Sequence, residues 1–137
     1  MRTGGPRREV AQMLLIRTGI DLIEIERIQR AIQRHGKRFL ERIYTPGELA
    51  ICGQDAACLA GRFAAKEAVS KALETGIGPV VWREIEILRG PAGEPVLYLH
   101  GKAQAISAAL KLTTWSVSIS DTRTQAVAVT VALGEKG

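Results

Sequence analysis

The spacing of hydrophobic and polar positions changes several times along the chain. Residues 14–19, LLIRTG, form a short apolar run that predicts a strand leading through Gly19 and Ile20 to Asp21. Residues 23–36, IEIERIQRAIQRHG, sort into two helical faces at about 100° per residue. Ile25, Ile28 and Ile32 share one face; Arg27, Arg30, Arg34 and Arg38 share the other, and Gly36 breaks the helix near its end. In TPGELAIC, Thr45 and Pro46 suit the N-cap and first position of a second helix. A long third helix is predicted from about Ala56 to Glu74, with Asp55 as its cap and Gly76 as its stop. The loop GIGPVV follows, then the alternating strand REIEILRG, the turn PAGEP and the strand VLYLH. GKAQAISAALKL reads as a helix, and WSVSISDT and QAVAVTVAL as closing strands turned by DTRT. The order β-α-α-α-β-β-α-β-β predicts an α+β fold: a mixed, mostly antiparallel sheet packed with the long central helix.

Composition narrows the class. The 137 residues suit one domain, expected at 13–137 behind a mobile extension at 1–12 that holds three arginines and little that packs. At 46% hydrophobic and 4% aromatic residues, the core must be aliphatic. No apolar run approaches the ~20 residues of a membrane helix. MLLI, after the basic start, is too short for a secretory signal, so a cytoplasmic protein is expected. Cys52 and Cys58 match no zinc spacing and read as free, packed thiols of a reducing compartment. His35 and His100 are the only histidines, which argues against a Ser-His-Asp triad. The formal charge of +5 calls for an acidic partner: nucleic acid, anionic membrane, phosphorylated ligand or acidic protein.

The candidate chemistry lies in RFAAKEAVSKALETG, residues 62–76. Glu67 and Lys71 are neighbours on one face, and Arg62 and Lys66 lie on an adjacent stripe. A solvated charge pair is the plainer reading of each. It weakens because Phe63, Ala64, Ala65, Ala68, Val69 and Ala72 leave little of the helix for water. Asp21 reads singly as a helix N-cap for a segment starting near Leu22. Paired with Glu67, it suits Mg²⁺, which takes one or two carboxylates plus substrate phosphates.

GIDLIEIERI and GRFAAKEAVSKALETGIG resemble the two motifs of the small bacterial holo-[acyl-carrier-protein] synthases, and VSISDT with the strand after it resembles their C-terminal part. The resemblance spans about residues 13–133. It implies transfer of the 4′-phosphopantetheine of coenzyme A to a serine of an acidic apo acyl carrier protein in fatty acid biosynthesis, releasing adenosine 3′,5′-bisphosphate. It makes Asp21 and Glu67 the magnesium ligands and Glu67, Lys71 and Asp21 the catalytic group. Arg62, Lys66 and Lys71 would lie near the coenzyme A phosphates, and Gly76, Ile77 and Gly78 would border the pantetheine or nucleotide. Asp121 stands where many members carry histidine; it reads either as a site residue or as the start of the DTRT turn. Arg27, Arg30, Arg34 and Arg38 become a carrier-protein docking stripe. The resemblance also implies a homotrimer with active sites at interfaces, the Asp21 loop of one chain beside the long helix of another. The competing readings are a nucleic-acid-binding module using the basic first helix, which the few aromatics oppose, and a non-catalytic scaffold.

Overall fold

The computed structural model describes residues 13–136, and the extension expected at 1–12 lies outside the described residues. In chain order the elements are β1 (Met13–Glu24), α1 (Ile25–His35), α2 (Lys37–Ile43), α3 (Pro46–Cys52) and α4 (Ala56–Ala72). A single 3-10 turn (Trp82–Glu84) precedes β2 (Ile85–Arg89), β3 (Pro95–Leu99), α5 (Gly101–Ala109), β4 (Leu112–Asp121) and β5 (Gln125–Lys136). The α+β class, the antiparallel pairing and the long helix are as expected.

β1, β5 and β4 form a three-stranded antiparallel sheet in that order, and β2 pairs with β3 as a separate hairpin. α4 lies against one face of the larger sheet. Its Leu59, Ala60, Ala64, Ala65, Ala68 and Val69 are wholly buried, so small residues let it sit close to the strands. Asp55 caps it through Oδ1, which accepts from the Ala57 and Cys58 N–H groups. Thr45 caps α3 with Pro46 at its first position, as expected, and Glu48 returns the bond to complete a reciprocal cap.

Several boundaries differ from expectation. β1 runs on through Asp21 to Glu24, because Ile20, Asp21 and Leu22 stay in register with Val129, Ala128 and Val127 of β5. Asp21 is therefore a strand residue, not a helix cap, and α1 begins only at Ile25, whose N–H reaches the Thr124 carbonyl at 2.9 Å. Gly36 takes φ of +55° and breaks the helix, but a further helix, α2, starts at Lys37. Arg38 therefore leaves the α1 stripe. α4 ends at Ala72, where Glu74 turns to φ of +66° and the Gly76 N–H bonds back to the Ser70 carbonyl.

Cys52 and Cys58 are joined in a disulfide, which corrects the expectation of two free thiols. α3 ends at Cys52, Gly53 takes φ of +58°, and the Asp55 cap turns the chain into α4. That reversal brings the two Cα atoms to 5.4 Å, within bonding range. The cysteines thus give no argument for a reducing compartment.

Candidate active site

β1 and α4 meet at Gly19. A Cβ there would lie 1.8 Å from the Ala68 carbonyl oxygen, so only glycine permits this approach. Asp21 is two residues on, facing the same way as Gly19. The close crossing carries it to the last turn of α4. Lys71 Nζ donates to Asp21 Oδ1 at 3.2 Å and to the Ile20 carbonyl at 2.8 Å. Glu67 lies one turn earlier on the same face as Lys71. Partial burial raises its carboxyl above the ordinary range, the Asp21 charge raises it further, and Lys71 partly offsets both. Two carboxylates thus confront each other with one ammonium at their side. All three belong to one chain, so the first motif meets the long helix within a single protomer.

A second cleft, of about 380 Å³, opens at the other end of α4. Arg62, Arg89, Asp55, Cys58, Ile119 and Asp121 line it. Gly61 lets β4 close on the helix here, since a Cβ would meet the Ile119 methyl at 2.7 Å. Arg62 is aimed by its Nε, which donates to the Ile87 carbonyl at 3.0 Å. Burial lowers the pKa of the guanidinium below its ordinary value, and the Glu48 charge works against that. Asp121 is the last residue of β4 and exposed. It does not make the following turn: Thr122 Oγ1 accepts from the Thr124 and Gln125 N–H groups.

Lys66 is elsewhere. Its side chain is fully buried, and Nζ donates to Glu48 Oε1 at 2.8 Å and to the Trp82 and Ile85 carbonyls. Those bonds use all three N–H groups, leaving none for a phosphate and correcting the expected phosphate contact. Glu48, also fully buried, accepts from the Ile87 and Thr45 N–H groups as well. Lys66 and Glu48 bind α3, α4 and β2 together and so fix Arg62. Sequence reasoning missed Glu48 altogether, since nothing local in TPGELAIC marks it as the partner of a lysine on another helix. In the Gly76–Ile77–Gly78 loop, Gly76 and Gly78 take φ of +64° and +141°, and Ile77 bridges to Val80.

Arg27, Arg30 and Arg34 are exposed on α1, with Arg30 paired to Glu26 at 3.2 Å. Arg38 extends the basic surface from α2. It joins His35 and Arg42 around a pocket of about 350 Å³ floored by Phe39, Ile43 and Trp82. Arg42 escaped the sequence reading because α2 itself did.

Residues 17–131 match the family model described as the 4′-phosphopantetheinyl transferase superfamily. A holo-[acyl-carrier-protein] synthase of Herpetosiphon aurantiacus is 45% identical over 124 residues, 85% of this chain and 98% of its own. One from Solidesulfovibrio magneticus is 49% identical over 118 residues, 85% and 96% of the two chains. The crystal structure of the Helicobacter pylori holo-[acyl-carrier-protein] synthase in complex with coenzyme A matches with a TM-score of 0.78 at 35% identity, covering 84% of this chain and 98% of that one. A Bacillus anthracis synthase, in complex with CoA (3′,5′-ADP), gives 0.73 at 33% identity, covering 91% and 100%.

Proposed function

The chain belongs to the 4′-phosphopantetheinyl transferase superfamily and to its holo-[acyl-carrier-protein] synthases, and on that premise we propose how its residues carry the reaction. It transfers the 4′-phosphopantetheine of coenzyme A to a serine of an apo acyl carrier protein. The meeting of Asp21, Glu67 and Lys71 carries this assignment to residues.

The carrier serine oxygen attacks the β-phosphorus of coenzyme A; the new P–O bond forms as the pyrophosphate P–O bond breaks, and adenosine 3′,5′-bisphosphate leaves. Such a transfer needs alignment and charge neutralisation more than covalent help. Asp21 and Glu67 fit a Mg²⁺ ion. The Glu67 carboxylate has no hydrogen-bond donor among the described residues, and it stands against a second carboxylate that raises its pKa. Among the described residues no group of three or more His, Cys, Asp or Glu is placed to hold a metal ion, so substrate phosphates and water would complete the shell. Bound there, the ion would neutralise and orient the diphosphate. Lys71 is half exposed, free to turn from Asp21 toward the leaving phosphate. Glu67 takes the serine proton through a water. Arg62 holds a phosphate of the nucleotide from the second cleft, with Asp121 at its rim and the Gly76–Gly78 loop bordering the bound arm.

Arg27, Arg30, Arg34 and Arg38, with His35 and Arg42, dock the acidic carrier protein. The outer face of the sheet supports self-association into a homotrimer with sites at its interfaces. Leu14, Ile16, Ile20, Leu22, Val129 and Val131 are exposed there together, an apolar face of the kind that marks an interaction surface. The setting of this reading is the cytoplasm and fatty acid biosynthesis; among the described residues no helix is long and apolar enough to cross a membrane.

The test is to incubate the protein with coenzyme A, Mg²⁺ and an apo carrier protein and to weigh the carrier. The expected result is a gain of one phosphopantetheine group, lost with Asp21→Ala. An unchanged carrier, or an Asp21→Ala variant as active as the wild type, rejects the reading.

A further inference from the structure

The Cys52–Cys58 disulfide borders the Arg62 cleft, and no step above uses it. Cys58 sits in the first turn of α4 and lines the cleft; Cys52 is 7% exposed and faces the core. Arg62 follows Cys58 by one helical turn, with Nη1 3.5 Å from Cys58 Sγ. The sulfur is thus in reach of the guanidinium that faces the cleft. We propose that this disulfide is a reversible modification site that sets how strongly the cleft holds a phosphate. The proposal rests on the reading above that the cleft takes a phosphate of coenzyme A.

A dithiol reductant supplies the chemistry. Its first thiolate enters the cleft that half-buried Cys58 lines and attacks Cys58 Sγ, the Cys52–Cys58 bond breaks, and Cys52 leaves as a thiolate that takes a proton. The second thiol of the reductant closes on the first, forming a cyclic disulfide and releasing the Cys58 sulfur. Two electrons pass from the reductant to the cystine, and the protein gains two hydrogens.

The consequence is electrostatic. In the disulfide the Cys58 sulfur is neutral and a weak acceptor. Once released, it lies in the first turn of a helix and beside a guanidinium, both of which favour its anionic form. The cleft already sets two guanidiniums, Arg62 and Arg89, against two carboxylates, Asp55 and Asp121. A thiolate at Cys58 tips that balance negative and occupies Arg62, so a phosphate competes for its own cation. Asp121 sharpens the effect, because it already opposes a phosphate at the rim.

Coenzyme A is titrated calorimetrically into oxidised wild-type protein and into protein reduced with dithiothreitol, each state verified by intact mass. The oxidised form is expected to bind about fivefold more tightly, a change on the scale of one ordinary hydrogen bond. Cys58→Ser should show the same affinity with or without dithiothreitol. Cys52→Ser, which leaves the Cys58 sulfur free, should stay at the weaker value in both. Equal affinities in the two wild-type states overturn the proposal while leaving the cleft assignment intact. A Cys58→Ser protein as weak as Cys52→Ser overturns it too, since the lost cross-link and not the sulfur would then be responsible. Failure of the oxidised wild type to bind coenzyme A overturns the cleft assignment and this proposal with it.

Discussion

Glu67 is costly to ionise where it sits. Its carboxyl is raised by partial burial first and by the Asp21 charge second. A carboxyl raised on folding favours the protonated fold, so its contribution to stability is present at acid pH and is lost as pH rises through the raised value. Glu67→Gln should therefore raise the Tm of metal-free protein at pH 7 by about 1–3 °C by calorimetry, and abolish transfer in the assay with Mg²⁺ by carrier mass. Asp21→Asn should bring the Glu67 carboxyl partly back toward its ordinary value in an NMR titration, only partly because burial is the larger cause. No shift on Asp21→Asn would mean that the two carboxylates do not interact. At this scale the motifs exposed Asp21, Glu67 and Lys71, since each is an odd charge among apolar neighbours. They also misled at Lys66. A buried lysine that has found a buried glutamate looks, in one dimension, the same as a lysine waiting for an anion.

Elements bring these side chains together, and their closest contact is the crossing of β1 and α4. Gly19→Ala would force a methyl into the Ala68 carbonyl, and the backbone there has no easy retreat. A loss of about 1–3 kcal/mol in urea unfolding is expected, with a fall in transfer activity as Asp21 is pushed from Glu67. Unchanged activity would show that the crossing does not set the site. The basic helices make a separate prediction. Arg27→Glu with Arg34→Glu should raise the KM for carrier protein by at least about tenfold and spare coenzyme A affinity; equal loss of both would count against docking. The elements best read in advance carry strong local signals, such as the Thr45–Pro46 start of α3 and the Asp55 cap. α2 was hidden because Gly36 is a sound stop signal, and nothing local says that a new helix starts at once. The end of β1 was misjudged because IEIERI fits a helical wheel, whereas pairing with β5 overrides it as far as Glu24. The disulfide was hidden because six residues of spacing say nothing about the reversal at Gly53.

Across the whole molecule the larger sheet has two apolar faces, and α4 covers one of them. Ile16→Asp with Ile20→Asp would place charge in the middle of the uncovered face, on the side of β1 away from the site. A shift from trimer to monomer in sedimentation is expected, with transfer activity falling to a small fraction. A wild type that sediments as a monomer would remove the trimer from the reading. The strand periodicity held this information in part, since LLI and AVAVTV are apolar at successive positions and not only at alternate ones.

The Glu48–Lys66 pair also constrains how this chain can change. Neutral together, the two residues hold three elements from the inside. Replacing either alone strands its mate in an aliphatic core, at about 3–5 kcal/mol, a large share of what keeps a small protein folded. A lineage that carries the pair can abandon it only by two changes arriving almost together. The salt bridge is thus inherited more as a ratchet than as a preference, and it should persist in descendants long after the surface around it has been rewritten.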